Sequence, residues 1–235
     1  MHLSFLNQFD VILLDVGHTF MFGGYRFFKT EDFAATYRSL GGSLLTEEQV
    51  NNIIFRESRK IKADGKNQRL YDCLPPVLSY LQKNVETTGL PASELNLLEQ
   101  VFATHEVGVI SQKHVKVLQQ IRETHRLGII SNIWSKKDLF LQEFDRVGIR
   151  DLFDIIIFSS DYGWIKPSIK IFDKAIEFFD VERDKIVYIG DHIMRDVGGA
   201  KTAGLSTVWI NRRGKQLNES MAVPDLIIKD LEELI

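Results

Sequence analysis

The chain has 235 residues, 44% of them hydrophobic and 26% charged, with a formal net charge of −3. That profile fits a soluble globular protein with room for one large domain and a smaller insertion. It excludes a membrane span, because no apolar run approaches ~20 residues, and it leaves no concentrated basic stripe for nucleic acid, since Glu57 interrupts the cluster Arg56, Arg59, Lys60 and Lys62.

The start of the chain is mixed in character, without the pattern of a signal peptide. Cys73 is the single cysteine, so no intrachain disulfide is expected and a reducing, cytoplasmic setting suits the chain. Residues 9–14 then form an apolar run without alternation, which reads as a buried parallel strand ending abruptly at Asp15.

Residues 21–107 lack alternation of strand and helix and read as mostly helical. Thr46 with Gln49 predicts a capping box before Val50, Ile53 and Ile54. Pro75-Pro76 and Gly89-Leu90-Pro91 mark turns. A segment this long is too large for a loop, and the expectation is a helical lid inserted after the first strand.

Beyond it, four further strand-like runs follow at 127–130, 155–158, 186–189 and 207–210. Helical stripes separate them: Val115, Leu118 and Ile121; then Leu139, Phe140, Phe144 and Val147, closed by Gly148; then Ile169, Phe172, Ile176 and Phe179, entered through Pro167. A short helix is expected over 196–203, ended by Gly204. The pattern predicts an α/β fold, a doubly wound (Rossmann-like) parallel sheet, with core segments 1–20 and 108–235 and a helical insertion over 21–107.

Polar residues stand where these strands surface. Asp15 and Thr19 follow the first run, Ser131-Asn132 the second, Lys166-Pro167 the third and Gly190-Asp191 with Asp196 the fourth. Ligands of such sheets bind at that edge. A strand-end carboxylate, Asp15, suits a nucleophile; Ser131 and Asn132 suit an anion cradle; Lys166 suits a neutralising point charge. Asp15, Asp191 and Asp196 together are what hard Mg²⁺ asks for. Each has a plainer reading alone: Asp15, Asn132 and Asp196 as helix caps, Thr19 as a turn residue, Lys166 as a surface lysine.

Taken jointly, these residues resemble the haloacid dehalogenase-like hydrolase superfamily. The first motif is matched by Asp15-Val16-Gly17-His18-Thr19, the second by Ser131, the third by Lys166, and the fourth by Gly190-Asp191 with Asp196. The helical insert is similar to the family's type 1 cap. The resemblance implies Asp15 as nucleophile, Thr19 and Ser131 as phosphate binders and Lys166 as charge clamp. It implies metal ligation by Asp15, the Gly17 backbone carbonyl and Asp191, with Asp196 in support or acting through water.

The departure is at Gly17, where phosphatases of the family carry a second aspartate as general acid and base. The implied function is Mg²⁺-dependent hydrolysis of a small phosphorylated metabolite through an aspartyl-phosphate, slowed by that loss. His18 beside it is an alternative proton carrier. The other readings are a non-catalytic or weakly active member that binds a phosphorylated ligand or a protein, and a metal-independent 2-haloacid dehalogenase. Arg26 and Trp134 are further candidates for the pocket mouth, beside Tyr25, Phe27, Phe28 and Trp164. A monomer or a homodimer is compatible with the sequence.

Overall fold

The computed structural model describes residues 3–235. Its strands are β1 (Val11–Leu14), β2 (Met21–Phe22), β3 (Val109–Ile110), β4 (Arg126–Ser131), β5 (Ile155–Phe158), β6 (Ile186–Gly190), β7 (Ser206–Ile210) and β8 (Leu226–Ile228). Six of them form one parallel sheet in the order β5-β4-β1-β6-β7-β8. The first strand is central, and the chain leaves it for β4 on one side and β6 on the other. That reversal opens a crevice at the carboxyl ends of the strands.

The helices are α1 (Leu3–Leu6), α2 (Phe33–Ser39), α3 (Glu47–Asp64), α4 (Val77–Gln82), α5 (Ala92–Glu106), α6 (Gln112–Arg122), α7 (Asp138–Val147), α8 (Ser159–Tyr162), α9 (Ile169–Phe179) and α10 (Gly199–Thr202). Both faces of the sheet are covered, which explains why β1 reads as an unbroken apolar run. Ile12 and Leu14 join one apolar cluster with Val115 and Leu118 of α6 and Phe140 and Phe144 of α7. Their neighbours Val11 and Leu13 join a second cluster with Ile171, Phe172 and Ile176 of α9 and Ala200 of α10. Successive side chains of one strand thus feed opposite cores.

The stripes face the cores largely as read, except that Ile169, at the start of α9, is exposed. Gly148 closes α7 in a left-handed conformation at φ 71°, and Thr46 with Gln49 makes the capping box of α3. Helices α2 to α5 enclose a third apolar cluster around Phe33, Tyr37, Ile54, Leu81 and Phe102. No helix among the described residues is long and apolar enough to cross a membrane.

Three details differ from expectation. Met21–Phe22, inside the stretch read as helical, pairs antiparallel with Val109–Ile110; two residues are too few to show a period. Strand β8 went unpredicted because Leu226–Ile228 is only three residues long. The helix expected over 196–203 is a π-helical turn, Ile193–Gly198, running into α10.

Candidate active site

Asp15 continues β1 into the crevice, its backbone N–H donating to the Ile189 carbonyl at 2.9 Å. Its carboxylate is approached from the neighbouring strand β4 and from the segment between β5 and α9. Ser131 Oγ, at the end of β4, donates to Asp15 Oδ1 at 2.8 Å, and Lys166 Nζ donates to the same oxygen at 2.8 Å. Lys166 is only 2% exposed, and a lysine is buried this deeply when its charge is partnered. Its ammonium lies 2.7 Å from Asp196 Oδ1 and donates to Tyr188 Oη at 2.7 Å. Tyr188 in turn donates to the Ile130 carbonyl at 2.8 Å. The lysine is held in place as well as neutralised.

One carboxylate oxygen from each of Asp15, Asp191 and Asp196 lies within 4.8 Å of the others. Gly190 permits this packing, since a Cβ there would meet the Asp196 carboxyl group at 2.5 Å. Asp196 Oδ2 accepts from the His192 N–H at 2.8 Å. Its Oδ1, though close to the ammonium, completes no hydrogen bond and is buried. The Asp191 carboxyl is pushed up to about 7, first by burial and then by Asp196 and Asp15. Three acids facing one ammonium leave negative charge in excess, and the donors are all hard oxygen. This set fits a hard divalent cation better than a thiolate- or imidazole-seeking metal. Both oxygens of Asp196 already face a donor, Oδ2 the His192 N–H and Oδ1 the Lys166 ammonium, whereas Lys166 and Ser131 share Oδ1 of Asp15 and leave its Oδ2 open.

Comparison with known proteins agrees with this geometry. The haloacid dehalogenase-like hydrolase family profile matches residues 95–210, the stretch that carries Ser131, Lys166, Asp191 and Asp196. A phosphatase structure from Thermococcus onnurineus superposes with a TM-score of 0.63 at 26% identity, covering 96% of this chain and 95% of that one. Residues 95–210 belong to the haloacid dehalogenase-like hydrolase family. The 2-haloacid dehalogenase of Pseudomonas syringae shares the fold of this chain, with a TM-score of 0.66, 22% identity and 96% of both chains covered. Among curated relatives, the pyrimidine 5'-nucleotidase YjjG of Escherichia coli is 36% identical over 91 residues, 38% of this chain and 40% of that protein. The glyceraldehyde 3-phosphate phosphatase of Pyrococcus furiosus is 33% identical over 93 residues, 38% of each chain. The matched stretch therefore spans about two fifths of the length of these relatives.

The loop after Asp15 is clamped from afar. His18 adopts φ 55°, a left-handed conformation uncommon outside glycine. Arg212 secures it, donating to the His18 carbonyl and, at 3.2 Å, to the Thr19 carbonyl. The same guanidinium pairs with Asp230 at 3.0 Å and lies 4.6 Å over the Phe22 ring. Burial lowers the His18 pKa, with Arg213, Arg212 and Arg195 adding to it against Asp15.

A second tie links the crevice to the helical layer. Glu106, at the end of α5, is buried and accepts from the N–H groups of Trp134 at 2.6 Å and Ser135 at 2.8 Å, and from Ser135 Oγ at 2.6 Å. Burial outweighs these three donors and raises its pKa to about 7. Tyr25 donates its hydroxyl to the Asn132 carbonyl at 2.7 Å and packs edge-on against Trp134. Its pKa is raised well above the ordinary value by burial, then by Glu106 and Asp15, so the phenol stays protonated.

A cavity of about 530 Å³ opens over Asp15, Gly17, Asn132, Trp134, Lys166 and Asp191. Thr19 is not among its lining residues; it is fully buried and its hydroxyl finds no hydrogen-bond partner. Arg26 is likewise turned elsewhere, its guanidinium donating to the Gly23 and Thr104 carbonyls. Asn132 lines the cavity while its amide accepts from the Lys166 N–H at 2.8 Å and donates to the Lys166 carbonyl at 3.2 Å, so it fixes the lysine's backbone. Trp164 stacks on Tyr162 rather than on the cavity. Tyr188, Glu106 and Arg212 were not anticipated. The one available signal was Tyr188, a hydroxyl in the middle of an apolar strand, which needs a partner.

Proposed function

We propose that this chain hydrolyses a small phosphomonoester through an aspartyl-phosphate formed on Asp15. The observation that carries this reading is the convergence of Ser131 and Lys166 on one oxygen of Asp15, both at 2.8 Å. That contact orients the carboxylate and leaves its other oxygen for attack. Asp15 attacks phosphorus, the ester oxygen departs with the bonding pair, and water then cleaves the acyl phosphate to release inorganic phosphate and restore the carboxylate. Lys166 and Ser131 hold the transferring oxygens as charge builds on them.

Asp15, Asp191 and the Gly17 carbonyl would hold Mg²⁺, with Asp196 in support. The bound ion would supply charge neutralisation for the phosphoryl oxygens. With no side chain at position 17, the departing oxygen takes its proton from solvent, which makes slow turnover of alkyl phosphates the expectation. Helices α2 to α5 act as the cap, contributing Phe55, Arg59 and Lys62 to the cavity and excluding water. Relatives that are a nucleotidase and a sugar-phosphate phosphatase support this substrate class.

The test is a panel of phosphomonoesters with and without Mg²⁺, run beside Asp15→Asn. Phosphate release that needs both Mg²⁺ and Asp15 upholds the reading. Gly17 favours one second reading, a phospholigand-binding protein without turnover. That reading gains if the panel binds and none is cleaved. A metal-independent dehalogenase is disfavoured by the three clustered carboxylates, and halide release from 2-haloacids in chelator would reinstate it.

A further inference from the structure

Beside the catalytic cavity lies a larger cleft of about 810 Å³. The two share His18, Lys62, Trp134, Asp191 and Arg195, so one small molecule can reach both. The cleft is lined by Lys62, Lys66, Arg195, Arg212, Arg213 and Lys215, with Asp191 as its one carboxylate among the described residues. In a chain whose net charge is −3, that is a local reversal of sign.

These cations are also unsatisfied. Several basic side chains on other faces are bridged, as in Lys113 to Glu232, Arg183 to Asp173 and Lys201 to Asp225. Scattered ones such as Lys116 and Lys185 form no ion pair among the described residues; what sets the cleft apart is that its cations converge on one cavity. In the cleft only Arg212 is paired, to Asp230; Lys62, Lys66, Arg195, Arg213 and Lys215 form no ion pair among the described residues. The turn that presents three of them is built rather than loose. The Asn211 amide accepts from the Lys215 N–H and donates to the Lys215 carbonyl, both at 2.9 Å, and the Gly214 N–H donates to the Asn211 carbonyl at 3.2 Å. This turn directly follows β7, next to the strand that delivers Asp191.

We propose that this cleft binds a second phosphate group of the substrate, so that the preferred substrate is a small bisphosphorylated compound. The proposal rests on the reading of Asp15 as the group that takes the first phosphoryl. A dianionic phosphate matches a convergence of guanidinium and ammonium groups, each a charge-assisted donor. A single carboxylate would leave most of them uncompensated.

The test compares fructose 6-phosphate with fructose 1,6-bisphosphate, with Mg²⁺ in excess and at physiological salt, where long-range steering is largely screened. Three proteins are measured: the wild type, Arg213→Glu/Lys215→Glu, and Lys116→Glu/Lys185→Glu, which carries the same charge change outside the cleft. The wild type is expected to favour the bisphosphate in kcat/KM by ~10-fold or more. The cleft variant should bring that ratio towards ~1, and the control should leave it unchanged. No preference in the wild type, or equal losses for both substrates in the cleft variant, overturns the proposal. If neither compound is hydrolysed, the phosphatase reading fails separately. Calorimetry with the same pair then decides the cleft: tighter bisphosphate binding that disappears in Arg213→Glu/Lys215→Glu upholds it, and equal binding refutes it.

Discussion

The ring of Tyr25 lies against Gly17, so that a Cβ at position 17 would meet Tyr25 Cε2 at 3.3 Å. The space beside Asp15 is therefore bordered by a ring that must give by a few tenths of an ångström to admit a side chain at position 17. Gly17→Asp is expected to fold and to restore general acid–base help, worth up to ~10²–10⁴-fold. The gain should be large for alkyl phosphates and small for p-nitrophenyl phosphate, whose leaving group needs no proton. Matched kcat values on the two substrate types check this. An equal gain on both would mean that the substitution acts through something other than proton transfer.

Tyr188 stands between Lys166 and the Ile130 carbonyl. Tyr188→Phe leaves the ring packing and strips the lysine of a neutral acceptor, and it leaves a buried carbonyl without its donor. Stability should fall by about 1–3 kcal/mol, and kcat should fall with it because the ammonium loses one of its positioning contacts. Denaturant unfolding beside steady-state kinetics reads both. A variant as stable and as active as the wild type would remove Tyr188 from the account.

Glu106 gives the protein a pH dependence of stability with a defined sign. Its folded pKa is raised from 4.5 to about 7, so the folded protein binds the proton more tightly than the unfolded chain. The contribution is complete below the unfolded pKa and is lost as pH rises through about 7. Unfolding free energy measured between pH 4.5 and 8 should therefore decline more steeply in the wild type than in Glu106→Gln. Absolute stabilities are not the comparison, since an amide cannot accept from all three donors that the carboxylate serves. Parallel pH slopes in the two proteins would show that Glu106 titrates normally.

Much of this site could be read in one dimension because four apolar runs stop abruptly, and a polar residue at such a stop has nowhere to go but the sheet edge. Asp15, Ser131 and Asp191 are placed by strand geometry alone. Lys166 is placed less directly, since α8 intervenes after β5, and the Asn132 amide that fixes its backbone lies just past the end of β4. The contacts that were not legible are those closed by tertiary folding. Nothing near Arg26 in sequence tells that its guanidinium will meet the Thr104 carbonyl, and nothing near Arg212 tells that it will hold His18. Glu106 reads as an ordinary acidic helix end until Trp134 and Ser135 fold over it.

The grip of Arg212 on the residues after Asp15, itself steadied by Asp230, bears on biosynthesis. Asp15 is translated long before Arg212 and Asp230, yet the bend that follows it is completed by their side chains. Strand β1 itself waits for its sheet partners β4 and β6, and the loop after it gains its last contacts only once Arg212 and Asp230 have been made.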